Sequence, residues 1–195
     1  MMKNSKLVAI WIAPGQKDRV NNYWPEMFRQ ISAGKVQCLI NVVSYGFHGT
    51  NPLWETYKQG EWYEEGMSKE VFFRKFLEEN RKIELALMKE LSHRIKDAKQ
   101  KIRMITLVTK QDLWWKDKEI VQDFYATGEY NEIIQEISKK KGEDNFEHTF
   151  SSVSLISNNF RIGNEIFYPT VGGYDQSLRI SNLDNFISGY NSLLQ

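Results

Sequence analysis

The feature that most constrains the fold is an apolar, β-branched run that ends in four polar residues. The run covers residues 104–108, and the polar tetrad Thr109–Asp112 has the sequence Thr-Lys-Gln-Asp. A helical pattern follows within a few residues. This order predicts a buried strand that delivers polar side chains to the carboxyl edge of a sheet, which is where open α/β sheets bind ligands.

The tetrad contains the groups that recognise a flat, hydrogen-bonding ligand. The Asp112 carboxylate can accept two hydrogen bonds from adjacent N–H groups of a base such as guanine, while the Lys110 stem packs over its face. Thr109–Leu113 resembles the base-recognition motif of Ras-like and ADP-ribosylation-factor-like small GTPases, in the form that begins with Thr. The resemblance implies that Thr109, Lys110 and Asp112 bind GTP or GDP. From the residues alone, a strand-end salt bridge or a helix cap is an equally open reading of Lys110 and Asp112.

A second likeness lies earlier in the chain. The apolar run Lys6–Ala13 reads as a strand and is broken by Pro14-Gly15-Gln16, with Arg19 and Trp24 following. This order resembles the switch II segment of the ADP-ribosylation-factor group. The resemblance implies that the Gly15 N–H meets the γ-phosphate and that Gln16 is catalytic, orienting the attacking water. Without bound phosphates, Gln16 would be a polar turn residue.

One position departs from this pattern. Ile12 stands where the family has an Asp that holds the magnesium shell, and an isoleucine offers no oxygen ligand to Mg²⁺. Magnesium binding is therefore in question. His48, His93 and His148 lie in unrelated segments without ligand-like spacing, so the sequence predicts no metal site.

Further elements precede the tetrad. Lys35–Val43 reads as a buried strand, and Cys38 within it as a buried structural thiol. Residues 44–67 form a long aromatic-rich insertion, which either packs against the body or contacts a partner or ligand. Ser68 predicts the N-cap of a long helix whose apolar stripe lies against the sheet.

Beyond the tetrad, residues 117–141 carry a helical pattern interrupted at Gly128, and an apolar strand follows around Thr149–Ser157. Its end falls where small GTPases place a loop that contacts the guanine oxygen, which implies base contacts from Ser154 and Ser157. Residues 161–180 read as a loop or hairpin insertion. A short amphipathic helix capped by Ser181 or Asn182 closes the chain.

Strands that alternate with helices predict a single α/β domain over residues 1–195, with a mainly parallel central sheet flanked by helices. The elements resemble the last two thirds of a small GTPase, which implies a P-loop-GTPase-like topology truncated at the N-terminus. The sequence contains no Gly-x-x-x-x-Gly-Lys-Ser/Thr loop and no switch I. The missing phosphate contacts, each worth roughly 1.5–3 kcal/mol, leave the chain catalytically incompetent alone.

Three interpretations follow from these observations. The chain is a truncated or degenerate GTPase-like protein, completed by another chain that adds a strand or phosphate-binding groups. Alternatively it is a nucleotide-free pseudo-GTPase that acts as an interaction module, or an unrelated α/β domain. Lysine and arginine number 26 against 25 acidic residues, so no nucleic-acid partner is predicted. No apolar run approaches the ~20 residues of a membrane span and no signal peptide is visible, which predicts a cytoplasmic protein.

Overall fold

A three-stranded parallel sheet forms the centre of the fold. The computed structural model describes residues 17–49, 54–154, 160–162, 165–167 and 175–193. Strands β1 (Cys38–Val43), β2 (Ile102–Val108) and β3 (Phe146–Ser152) lie in the order β1-β2-β3. Helices flank this sheet, which confirms the predicted α/β class. Residues 43, 108 and 152 share one row of the register, so the three strands end together.

The connections between the parallel strands are helical, as parallel pairing requires. The helices in chain order are α1 (Lys17–Ser32), α2 (Trp54–Lys58), α3 (Lys69–Asp97), α4 (Gln111–Trp114), α5 (Lys118–Ala126), α6 (Glu129–Lys141) and α7 (Gln176–Leu193). Two short strands, β4 (Phe160–Ile162) and β5 (Glu165–Phe167), pair antiparallel. This pair overlaps the start of the predicted insertion at 161–180, whose last residues, from Gln176, belong to α7.

Local sequence signals account for several helix ends. The Ser68 hydroxyl accepts a hydrogen bond from Val71 N at 3.3 Å, which confirms Ser68 as the N-cap of α3. The helical pattern over 117–141 does break at Gly128, which separates α5 from α6. A Cβ at Gly128 would lie 3.1 Å from Phe124 O, so the close approach of the chain there favours glycine.

The two faces of the sheet are covered unequally. One face packs against α1, α3 and α6 and carries the main core, which includes the fully buried Ile31, Ile95, Ile102, Met104, Val108 and Ile137. On the other face, Phe186 and Tyr190 of α7 pack against Ile105, Leu107 and Val153. Because side chains alternate along a strand, Ile40 and Val42 of β1 also point to this second face, where they are 40% and 60% exposed.

The aromatic insertion packs onto α3. Tyr57 is buried against Phe72 and Phe76, with ring centroids 5.3 Å apart in both pairs. Trp62 and Tyr63 pack on the same cluster, part of which lines an open pocket of about 250 Å³. Tyr57, Trp62 and Tyr63 of the insertion therefore pack against the body of the protein, which was one of the two interpretations of this segment.

Some boundaries differ from those expected from the sequence. Strand β1 begins at Cys38 and not at Lys35, and the Val36 carbonyl ahead of it accepts a hydrogen bond from Gln100 Nε2 at 3.1 Å. Strand β3 begins three residues before Thr149 and ends at Ser152. Cys38 is partly exposed, and burial raises the pKa of its thiol.

The predicted cap of the last helix was wrong. Helix α7 begins at Gln176, where Asp175 Oδ1 accepts a hydrogen bond from Leu178 N at 2.8 Å. Ser181 and Asn182 lie inside the helix, and the Asn182 amide donates to Gln111 Oε1 at 2.6 Å. The predicted strand Lys6–Ala13 lies outside the described residues.

Candidate functional site

The loops that follow β1, β2 and β3 meet at the carboxyl edge of the sheet. Ser44 and its neighbours follow β1, the tetrad Thr109–Asp112 follows β2, and Ser154 follows β3. Backbone hydrogen bonds continue past the strand ends, from Thr109 N to Val43 O at 2.8 Å and from Val153 N to Val108 O at 2.9 Å. The register of the sheet thus places the three loops side by side.

Thr109 fixes the end of β2 to the end of β1. Its hydroxyl donates to Val43 O at 2.9 Å, and its own carbonyl accepts from the indole Nε1 of Trp114 at 2.8 Å. Trp114 is buried in the main core. The first residue of the tetrad therefore anchors the loop, and we assign it no direct ligand contact from this geometry.

Lys110 turns the chain at the site. It has a left-handed backbone conformation with φ of 56° and ψ of 35°, which costs a residue with a side chain roughly 1–2 kcal/mol. Its Nζ donates to Phe47 O at 2.5 Å, in the loop after β1. Burial lowers the pKa of Lys110, and the Asp112 carboxylate acts in the opposite direction. The stem of Lys110 is thus held in the space between two loops.

Asp112 carries the acidic group of the site. The residue is only 5% exposed, and its Oδ1 accepts a hydrogen bond from the Ser154 hydroxyl. Burial raises the pKa of Asp112, while the bond from Ser154 and the positive charges of Arg179 and Lys110 lower it. A carboxylate in such a position is costly unless further donors reach it, so it is well suited to accept N–H groups of a ligand.

Gln111 points towards β3 and α7. Its Nε2 donates to Ser152 Oγ at 2.9 Å, and its Oε1 accepts from Asn182 Nδ2 at 2.6 Å. Gln111 is buried and ties the tetrad to the strand and helix beside it. The loop is therefore fixed on both sides, by Thr109 at β1 and by Gln111 at β3.

The structure brings together four of the residues predicted for a nucleotide site. Thr109, Lys110, Asp112 and Ser154 occupy the carboxyl ends of β2 and β3. Gly15, Gln16 and Ser157 lie outside the described residues, as does Ile12. Lys110 stands at the N-cap position of α4 but its side chain makes no capping hydrogen bond there, and its charge interacts with that of Asp112, so the salt-bridge reading stays open. Ser154 now has a defined role as a donor to Asp112.

Sequence reasoning missed three groups beside the tetrad. They are the backbone carbonyl of Phe47 and the buried side chains of Asn80 and Glu84 on α3. A carbonyl leaves no trace in the sequence. Asn80 and Glu84 follow Phe76 at successive intervals of four residues and so continue the buried stripe of the helix, but polar side chains at such positions are typical of a solvated face.

Two other features are absent from the residues that the structure describes. Within the described parts of the chain, no group of three or more His, Cys, Asp or Glu side chains is placed to hold a metal ion. None of the helices that the structure describes combines the length and apolar character needed to cross a membrane. Within the described residues, polar side chains from the tetrad and Ser154 converge at the carboxyl edge of the sheet.

Comparisons of this chain with protein-family models, with curated proteins and with solved structures found no match.

Proposed function

We propose that the carboxyl edge of β2 and β3 binds the guanine base of GTP or GDP. In this proposal the chain is an incomplete GTPase-like domain with the corresponding P-loop-GTPase-like topology. Asp112 accepts the two N–H groups on one edge of guanine, the Lys110 stem covers the base, and Thr109 anchors the loop. Ser154 orients Asp112. Ser157, three residues further along the chain, contacts the guanine oxygen.

The hydrogen bond from Ser154 to Asp112 is the observation that carries this proposal. It joins the loops after two neighbouring parallel strands and aligns a buried carboxylate at the edge where α/β sheets bind ligands. The bond from Ser154 and one from the backbone N–H of Asp112 itself leave acceptor capacity on the carboxylate, because an ionised carboxyl group offers about four lone-pair sites. Guanine has two adjacent donors that match this capacity.

The proposal includes a second polypeptide that completes the domain. The sequence lacks a P-loop motif, so the phosphates would need groups from outside these 195 residues. The exposed Ile40 and Val42 support completion, because parallel sheets are normally covered on both faces. We expect no GTP hydrolysis by the isolated chain, and Gln16 would position water only in the completed form.

A nucleotide-free interaction module is the second candidate. It is favoured by the internal partners of the two charged residues: Lys110 donates to Phe47 O, and Asp112 accepts from Ser154. Charged side chains that already form hydrogen bonds within the protein do not require a ligand to form them. Under this candidate the exposed apolar residues of β1 would be the contact surface, and the tetrad would serve only to hold the loops.

Calorimetry with guanosine, xanthosine, adenosine and GDP distinguishes the two candidates. Xanthine replaces the amino group of guanine by a carbonyl, so its edge presents one donor and one acceptor. The substitution Asp112→Asn presents the complementary acceptor and donor. We expect the wild type to prefer guanosine and Asp112→Asn to prefer xanthosine, each by about tenfold or more for a mispaired hydrogen bond.

The control for this switch is Asp123→Asn, which removes a carboxylate from an exposed position on α5. It should bind guanosine as the wild type does. Binding of guanosine that Asp112→Asn left unchanged would place the ligand elsewhere. No binding of any nucleoside or of GDP would contradict the proposed function and favour the nucleotide-free module.

A further inference from the structure

The buried carboxylate of Glu84 holds the loop that follows β1. Glu84 lies on α3 and is 6% exposed. Its Oε1 accepts hydrogen bonds from Ser44 N at 3.0 Å and Gly46 N at 3.1 Å, and His48 Nδ1 lies 3.2 Å away. Its Oε2 accepts from the Tyr125 hydroxyl at 2.6 Å. The carboxylate is thus committed to groups within the protein.

The opposite side of the same loop is held by Asn80, one helical turn before Glu84. The Asn80 Nδ2 donates to Gly46 O at 2.8 Å and to His48 O at 3.1 Å. Gly46 has a φ of 83°, and a Cβ there would lie 2.4 Å from Leu77 O. The loop is therefore pressed against the backbone of α3, and its shape is set by both N–H and carbonyl contacts.

This loop presents one carbonyl to the candidate base site. Phe47 lies between the two residues that Asn80 binds, and its carbonyl accepts the hydrogen bond from Lys110 Nζ. A continuous series of contacts therefore leads from Glu84 through the amides of the loop to the lysine ammonium. Thr109 and Asp112 are held from elsewhere, by Val43 O and the Ser154 hydroxyl.

We infer that Glu84 is a positioning residue for Lys110, acting through the loop Ser44–His48 and the Phe47 carbonyl. The inference rests on the proposed function for its consequence, because the position of Lys110 decides how its stem covers the base. Charge matters here, since hydrogen bonds to an ionised acceptor are about twice as strong as those to a neutral one. A neutral side chain of the same shape should hold the loop less firmly.

The variant Glu84→Gln tests this relation without a large change of volume. Its first readout is the pKa of individual lysine ammonium groups, followed by NMR of ¹³Cε-labelled lysine. Release of the loop should hydrate Lys110 and raise its pKa towards the ordinary value, because burial is what lowers it. The second readout is calorimetry with guanosine, which should bind about tenfold more weakly.

Two controls separate positioning from a general loosening of the fold. Lys141 donates to Ala98 O and Gln100 O, and burial lowers its pKa as well, so it is a matched lysine in a distant place. Ser92→Ala removes an equally buried polar group from α3 that bonds only to its own helix at Lys89 O. Neither the Lys141 titration in Glu84→Gln nor the Lys110 titration in Ser92→Ala should move.

The outcomes are distinct. A Lys110 pKa that stays unchanged in folded Glu84→Gln, or that shifts together with that of Lys141, would overturn the inference. If the wild type bound no guanosine, the proposed function would fail, and the Lys110 titration would still decide whether Glu84 positions the ammonium. If Glu84→Gln did not fold, Asn80→Leu would take its place. This variant has a similar side-chain volume, removes the hydrogen bonds to Gly46 O and His48 O, and should raise the pKa of Lys110 as well.

Discussion

The Ser154 hydroxyl donates a hydrogen bond to the Asp112 carboxylate, although the two residues lie 42 positions apart in the chain. The bond exists because β2 and β3 are parallel neighbours that end in the same row of the sheet. Ser154 favours the ionised form of this carboxyl group, against the effect of burial, which raises its pKa. A substitution at Ser154 should therefore change the pKa of Asp112.

Replacing Ser154 by alanine should raise the pKa of Asp112 further. The hydroxyl is one of the groups that lower this pKa against the effect of burial, and its loss leaves the carboxylate with one donor fewer. We expect a loss of about 1–3 kcal/mol in the free energy of unfolding at neutral pH and weaker guanosine binding. NMR titration of the Asp112 carboxyl measures its pKa, urea denaturation measures the loss of stability, and calorimetry measures the binding of guanosine.

Ser92→Ala is the control for this experiment. Ser92 is as buried as Ser154, but its hydroxyl donates to Lys89 O of the same helix. It should leave the Asp112 titration unchanged. A Ser154→Ala protein with an unaltered Asp112 pKa would show that the hydrogen bond does not stabilise the ionised carboxylate.

His148 should make the protein less stable in mild acid. Its Nε2 lies 2.9 Å from the Thr106 hydroxyl, which in turn lies 3.0 Å from the Tyr130 hydroxyl. Burial lowers the pKa of His148 from 6.5 to about 4, so the unfolded chain binds the proton more readily than the folded one. The contribution of neutral His148 to the free energy of unfolding is complete above pH 6.5. It is lost as the pH falls towards 4, at about 1.4 kcal/mol per pH unit.

The change summed over this window is about 3 kcal/mol, and urea denaturation at several pH values would measure it. His148→Gln keeps a hydrogen-bonding amide and does not titrate, so its stability should depend less on pH between 4 and 6.5. The exposed His93 provides the matched control, because His93→Gln should retain the pH dependence of the wild type. Equal slopes in all three proteins would contradict the prediction.

Gly46 should tolerate alanine much less well than Gly49. Both have positive φ, 83° and 68°, so alanine costs roughly 1–2 kcal/mol of backbone strain at either position. At Gly46 the added Cβ would also lie 2.4 Å from Leu77 O, whereas nothing lies within 4 Å of one at Gly49. We expect a larger fall in the urea midpoint for Gly46→Ala. Equal falls would mean that the loop can move away from α3.

The carboxyl edge of the sheet was predictable because its signals are local. An apolar run followed by Thr-Lys-Gln-Asp placed Lys110 and Asp112 correctly at the end of a buried strand, and Ser68 was confirmed as a cap. Those signals depend on neighbours within four residues in the chain. The nucleotide role itself stays a prediction.

The partners of the site were not predictable in the same way. The apolar pattern of α3 pointed to Ile83 and Leu87, which are only partly buried, while Asn80 and Glu84 lie fully inside. A polar residue on a helix normally faces water, and burial is possible here because the loop after β1 and the Tyr125 hydroxyl supply hydrogen-bond partners. Such a compensation depends on contacts 32 to 41 positions away.

The start of β3 shows a related limit. Glu147 and His148 make the start of the strand polar in sequence. Glu147 nevertheless forms ion pairs with Lys101 and Arg103 on one face of the sheet. His148 meets Thr106 on the other face. Cross-strand partners thus outweigh local composition at this position.

The parallel arrangement of the strands has a consequence for how the protein reaches its native state. Lys110 and Phe47 are 63 positions apart, and Asp112 and Ser154 are 42 apart, so these contacts close only after long crossovers have formed. Structures built on such distant pairings form slowly. A base that bridges Lys110 and Asp112 would therefore bind only to chains that have finished folding, and its concentration would raise the temperature at which they unfold.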